Sequence, residues 1–130
     1  MRNALAEAHV HPREIGYINA HGSSTPLNDP TETSSIKQVF GENARSPAFS
    51  GTKGYYGHAL GASGAIEAAI CALASRRGWL PPTVNLETPD PACDLPMVTG
   101  EGRNLAPDVL VSNSFGFGGI NAHAVLEEAV

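Results

Sequence analysis

Two histidines stand where a scaffold presents reactive groups: His21 in "NAHGSST", at the end of an apolar run, and His58 in "GYYGHALGASG", before a small-residue helix. A titratable side chain at the mouth of a regular element is held rigidly and remains reachable. Lys53 adds a cation five residues before His58. The third element of a site is the turn in "SNSFGFGGINAH", Ser112 to His123. Its glycines, Gly116, Gly118 and Gly119, permit the backbone angles and the close approach by which N–H groups face an oxyanion. A nucleotide cradle does not suit this turn, because GxGxxG and GK[ST] loops run into a helix and "GFGG" runs into an alternating strand. A tight hairpin with Phe115 and Phe117 packed is the alternative without chemistry.

The other candidate groups read as structural. His9 and His11 form an HxH without further ligands at metal-binding spacing. His123 alternates with Ala122 and Ala124 and belongs to a strand at the edge of the core. Cys71, inside "AAICALA", is an apolar packing group, and Cys93, in "PDPACDLP", has no neighbouring His or Lys to activate it. Without a CxxC or a secretory leader both are expected reduced. Glu67, in "SGAIEAAI", is costly in such apolar surroundings unless paired, and Lys53 is the nearest upstream cation; the alternative is a glutamate at a solvent-facing helix edge.

These groups need a scaffold, and its elements are legible. "MRNALAEAH" reads as a helix anchored by Leu5 and ended by Pro12, and "EIGYINAH" as a strand buried on both sides and ending at His21. In "PTETSSIKQVFG" a helix is expected with Asp29 as N-cap, Pro30 as its first residue and Gly41 as C-cap. A short strand follows at 48–50. "HALGASGAIEAAICALASRR" then forms a long helix closed by Gly78, small enough on its surface to be buried between two layers. The proline-rich 80–97 stretch is an ordered connector, and "DVLVSNSFGF" and "INAHAVLEEA" are adjacent strands joined by the glycine turn. That order predicts an α/β fold with a mixed sheet.

At 130 residues, 42% of them hydrophobic, the chain is one domain with a core of its own. A net charge of −5 without a Lys/Arg cluster argues against nucleic acid or an anionic membrane as partner. No apolar run reaches the roughly 20 residues of a membrane span, and the N-terminus carries no signal peptide, so a cytoplasmic location is expected.

"YINAHGSSTPLND", "GTKGYYGHALGASGAIEA" and "NSFGFGGINAHAVLEE" together resemble the C-terminal half of a β-ketoacyl-acyl carrier protein synthase, nearest to the elongating type II enzymes and to polyketide ketosynthase domains. The likeness covers essentially all of residues 1–130 as one thiolase-like ketosynthase C-terminal domain. It implies half of a layered αβαβα fold whose other, N-terminal half carries the nucleophilic Cys and is absent from this chain. By resemblance His21 and His58 are the catalytic pair that donates hydrogen bonds to the malonyl thioester carbonyl, and Lys53 and Glu67 are the family's active-site lysine and its carboxylate. Phe117 is the gating phenylalanine, whose N–H shares an oxyanion hole with that of the Cys. Ser23 and Thr25 contact the phosphopantetheine arm, Ser23 replacing a Thr, while Gly116, Gly118 and Gly119 shape the turn. Tyr55, Tyr56 and Ile120 stand where relatives have Met, Thr and Thr. The resemblance leaves room for a monovalent cation near Asn19, Glu67, Ser112 and Asn113 and implies no other metal and no cofactor, since the phosphopantetheine arrives on the carrier protein. Expected partners are acyl carrier protein loaded with an acyl or malonyl thioester, the N-terminal half in cis or trans, and a second copy in a full-length dimer. A truncated chain, half of a split enzyme, and a subunit resembling a chain-length factor are the alternatives.

Overall fold

In the computed structural model, which describes residues 1–127, a four-stranded mixed sheet has the order β2-β1-β5-β6. Strand β1 (Ile15–Asn19) lies parallel to both β2 (Ala48–Ser50) and β5 (Val109–Phe115), and β6 (Asn121–Glu127) returns antiparallel to β5. Both faces of β1 are covered, as its unbroken apolar run requires. On one face Ile15, Ile18, Phe49, Val109 and Val111 pack with Leu5 of α1 (Arg2–Glu7) and with Ile36 and Phe40 of α2 (Asn28–Phe40). On the other face Tyr17, Ala48 and Leu110 pack with Cys71 and Ala74 of α4 (Ser63–Arg77). Each such fully buried large side chain contributes roughly 1.5–3 kcal/mol. A two-stranded sheet of β3 (Trp79–Leu80) and β4 (Arg103–Asn104) adjoins this layer.

Four expectations need correction. Strand β1 ends at Asn19, two residues before His21, although Ala20 N–H still bonds Ser50 O at 2.9 Å. Asp29 does not cap α2: the helix begins at Asn28, and the Asp29 carboxylate turns back to accept from Ser24 N–H at 3.1 Å and from Asn28 Nδ2 at 2.9 Å. The long helix begins at Ser63 rather than His58. Residues 53–56 form a separate short helix, α3 (Lys53–Tyr56), and Leu60, at φ 49°, breaks the path between the two. Finally, α4 is covered on one side only. Ser63, Glu67, Cys71 and Ala74 are buried at helical spacing, while Ala65, Ala69, Ala72 and Leu73 are exposed. Gly41 at φ 55° and Gly78 at φ 60° end α2 and α4 as expected. Among the described residues no helix is long and apolar enough to cross a membrane.

Candidate active site

The C-terminal ends of the parallel strands β1, β2 and β5 converge at one edge of the sheet, where open α/β sheets present their reactive groups. His21 follows β1, Lys53 follows β2, and Phe115 closes β5. His58 comes to the same edge from the turn before α4, its ring centroid 5.3 Å from that of His21 and the planes at 75°.

The two imidazoles share one tautomer. Phe115 N–H donates to His21 Nδ1 at 3.3 Å, and Leu60 N–H donates to His58 Nδ1 at 3.1 Å, with the Ser63 hydroxyl also 3.1 Å from that nitrogen. A ring nitrogen that accepts from a main-chain N–H carries no proton, so each neutral ring holds its hydrogen on Nε2. The irregular turn at Leu60 is what brings its N–H back onto His58.

His21 is buried, and desolvation, followed by the charge of Lys53 and then by His58, lowers its pKa to about 4. It is therefore neutral at physiological pH. Because this folded value lies below the ordinary 6.5, the contribution of His21 to stability is complete above pH 6.5 and is lost as the pH falls toward 4. In ¹⁵N-histidine NMR, His21 is expected to titrate near pH 4 with the Nε2–H pattern above it. A midpoint near 6.5, or an Nδ1–H pattern, would contradict the burial and the Phe115 contact.

Lys53 and Glu67 form the buried ion pair that the sequence suggests, 6% and 0% exposed, so the solvent-facing alternative for Glu67 is excluded. Lys53 Nζ donates to Glu67 Oε1 and, at 2.6 Å, to the main-chain oxygen of His21. Tyr56 OH donates to the same Oε1 at 3.1 Å, and Glu67 Oε2 is buried without a partner among the described residues. Of the four positions considered for a monovalent cation, Asn19 is engaged with Thr52, Asn113 uses its Nδ2 on Glu32 and its Oδ1 on His123, Ser112 is buried on β5, and Glu67 Oε2 is an unengaged oxygen. Glu67 Oε2 is thus the carboxylate oxygen of that set still open to a cation, and none of the proposed steps depends on one.

Ser23 and Thr25 sit in the loop after His21, their hydroxyls 3.4 Å apart, and Thr25 Oγ1 also accepts from Asn28 N–H at 3.1 Å. Gly118 and Gly119 adopt φ of 79° and 82°, and Gly116 N–H bonds Ile120 O at 2.7 Å, which closes the turn. Phe117 is 97% exposed, so the structure does not bring its ring to the histidines. The packed hairpin expected as the alternative fails on the same residue, since of the two rings Phe115 alone touches the site, edge-on to His21 at 5.7 Å.

Sequence reasoning missed Glu32. It is 4% exposed, and its carboxylate accepts from His21 N–H at 2.9 Å, Gly22 N–H at 3.0 Å and Asn113 Nδ2 at 3.0 Å. Burial pushes its pKa up against these three donors. In a helix expected to begin at Pro30, Glu32 reads as a first-turn dipole partner; the available signal was the pair of N–H groups that "HG" must satisfy once the strand has ended. Neither thiol is held in its thiolate form. Burial pushes Cys71 up to about 12 and raises Cys93 as well.

Residues 1–87 match the model of the C-terminal domain of beta-ketoacyl synthases. A relative from Coxiella burnetii, 3-oxoacyl-[acyl-carrier-protein] synthase 2, is 51% identical over 126 residues, which is 97% of this chain and 30% of that protein. A type II polyketide synthase acyl carrier protein in complex with its ketosynthase bound to the hexaketide superposes with a TM-score of 0.96 at 37% identity, over 99% of this chain and 32% of the other. The ishigamide ketosynthase/chain length factor gives 0.94 at 36%, with the same shares. The chain thus spans about a third of the length of these proteins.

Proposed function

The chain belongs to the β-ketoacyl synthase family, whose C-terminal domain it matches, and from that premise we propose that it supplies the His21, His58 and Lys53 half of a 3-oxoacyl-[acyl-carrier-protein] synthase site. The observation that supports this most is the pair of imidazoles 5.3 Å apart, each with Nδ1 engaged by a main-chain N–H and Nε2–H free to donate. Two such donors suit a thioester carbonyl on which enolate charge builds, and the burial of His21 strengthens the bond it donates.

In the proposed reaction an acyl group first moves from its carrier protein to a Cys of the N-terminal half. The malonyl thioester then loses CO₂: the bond to the carboxylate breaks, and its electron pair becomes the enolate, whose charge rests on the oxygen held by His21 and His58. The enolate carbon attacks the acyl thioester carbon, the new C–C bond forms, and the Cys thiolate leaves. This is covalent catalysis divided between two halves. Lys53 holds the main chain of His21 through its contact with that carbonyl. Phe117 would gate the acyl entrance and lend its N–H to the oxyanion hole beside the Cys, with Gly116, Gly118 and Gly119 giving the turn the freedom to close. Ser23 and Thr25 would contact the phosphopantetheine arm.

The test is co-expression of the chain with a Cys-bearing N-terminal ketosynthase half, followed by assay with acyl- and malonyl-carrier protein. CO₂ release and a 3-oxoacyl product are expected together; an assembly that is acylated on Cys but releases no CO₂ from malonyl-carrier protein would overturn the reading. Without that half, Cys71 and Cys93 are expected to remain unacylated. The likeness to a ketosynthase/chain length factor structure supports a second reading, a tunnel-shaping subunit. On that reading CO₂ release would survive removal of both His21 and His58.

A further inference from the structure

We propose that His123 is a positioning residue for His21, acting through Asn113 and Glu32 on the His21 main chain and through Phe115 on its imidazole. The inference rests on the condensing role of His21 proposed above. His123 and Asn113 face each other in the β5/β6 register, and His123 Nδ1 lies 2.9 Å from Asn113 Oδ1. Asn113 is fully buried, and its Nδ2 donates to Glu32 Oε1 at 3.0 Å. An amide that gives its N–H to a carboxylate must turn its oxygen the other way, and an oxygen can only accept. His123 therefore holds its proton on Nδ1, the opposite tautomer to His21.

The direction of each bond is thereby fixed along a continuous line: His123 donates to Asn113, and Asn113 donates to Glu32. Glu32 receives the N–H groups of His21 at 2.9 Å and Gly22 at 3.0 Å. A flipped Asn113 would set its oxygen against a carboxylate oxygen, two acceptors in a buried site, and would push Glu32 away from the His21 loop. His123 is the group that opposes this flip. It also brackets the Phe115 ring, which lies edge-on to His123 at 5.6 Å and to His21 at 5.7 Å, while Phe115 N–H holds His21 Nδ1 at 3.3 Å.

The test uses the chain assembled with a Cys-bearing N-terminal half and labelled with ¹⁵N-histidine. His123→Phe keeps a ring beside Phe115 but removes the donor; His123→Asn keeps an N–H where Nδ1–H stood. H123F is expected to lower kcat by about 10-fold or more, the scale on which small misplacements act, with KM within about twofold. In the same protein the His21 signals should move from the Nε2–H pattern toward a tautomer mixture, while H123N keeps the pattern and recovers most of kcat. The inference is overturned if H123F retains the His21 pattern and kcat per folded site, or if H123N is as impaired as H123F in both. If H123F does not fold, H123N against His123→Ala gives the same comparison. H21A is the control: should it leave CO₂ release unchanged, the condensing role fails, whereas the His21 NMR pattern in the His123 variants still tests the positioning.

Discussion

Replacing His21 by alanine in the assembled enzyme is expected to slow CO₂ release from malonyl-carrier protein by about 10²–10³-fold, the loss typical of one oxyanion donor in a dry site. The expectation follows from how the ring is held. Its burial excludes water that could substitute for the missing donor, and Phe115 N–H fixes Nδ1 as an acceptor, so Nε2–H is aimed before substrate arrives. KM for malonyl-carrier protein should change little, because the donated bond strengthens only as charge develops on the oxygen. His21→Gln, whose amide N–H falls near the position of Nε2–H, is expected to recover part of the lost rate, and His21→Asn, which cannot reach it, none. His58 is exposed in this chain, and H58A should show a smaller loss as long as water reaches its place. Equal rates for H21A and the parent enzyme would remove the basis of the proposed reaction.

The reach of sequence reasoning follows the range of the interactions involved. Strand β1 was legible because burial on both faces leaves a continuous apolar run, and the ends of α2 and α4 because Gly41 and Gly78 adopt backbone angles that favour glycine. Lys53 and Glu67 were legible as a pair because an isolated carboxylate in "SGAIEAAI" is physically implausible. What local pattern cannot supply is a partner distant in the chain. Glu32 turns inward because His21 and Gly22 present two N–H groups to it across the site, and Asp29 gives up the helix cap to accept from Ser24 N–H and Asn28 Nδ2. In sequence His58 opens a helix, yet its Nδ1 binds Leu60 N–H and the helix starts only at Ser63. The expectation that α4 lies between two layers came from its small residues, whereas a single chain supplies one layer and leaves Leu73 and its neighbours uncovered. Phe117 belongs to the same class, its ring left 97% exposed.

The second large effect concerns the pair that carries the His21 loop. Lys53→Ala is expected to destabilise the protein by about 3–5 kcal/mol, a large share of an ordinary domain's stability, because it removes the counter-charge of the fully buried Glu67 side chain. Tyr56 OH, at 3.1 Å from Oε1, would remain, while Oε2 already lacks a partner. The loss of activity has a separate origin, since Lys53 Nζ also holds the main-chain oxygen of His21 at 2.6 Å. The two effects can be separated by removing both charges. Lys53→Met with Glu67→Leu eliminates the unpaired carboxylate and fills the space with apolar groups, so most of the stability should return. CO₂ release should not, because no donor then reaches the His21 carbonyl. Urea unfolding of the parent, K53A and the double variant, set beside their rates of CO₂ release, makes the comparison. If the double variant recovers both stability and rate, Lys53 serves only to neutralise Glu67. If it recovers stability alone, the lysine holds His21 in place for the chemistry, and Glu67 is the counter-charge that allows an ammonium to remain buried there.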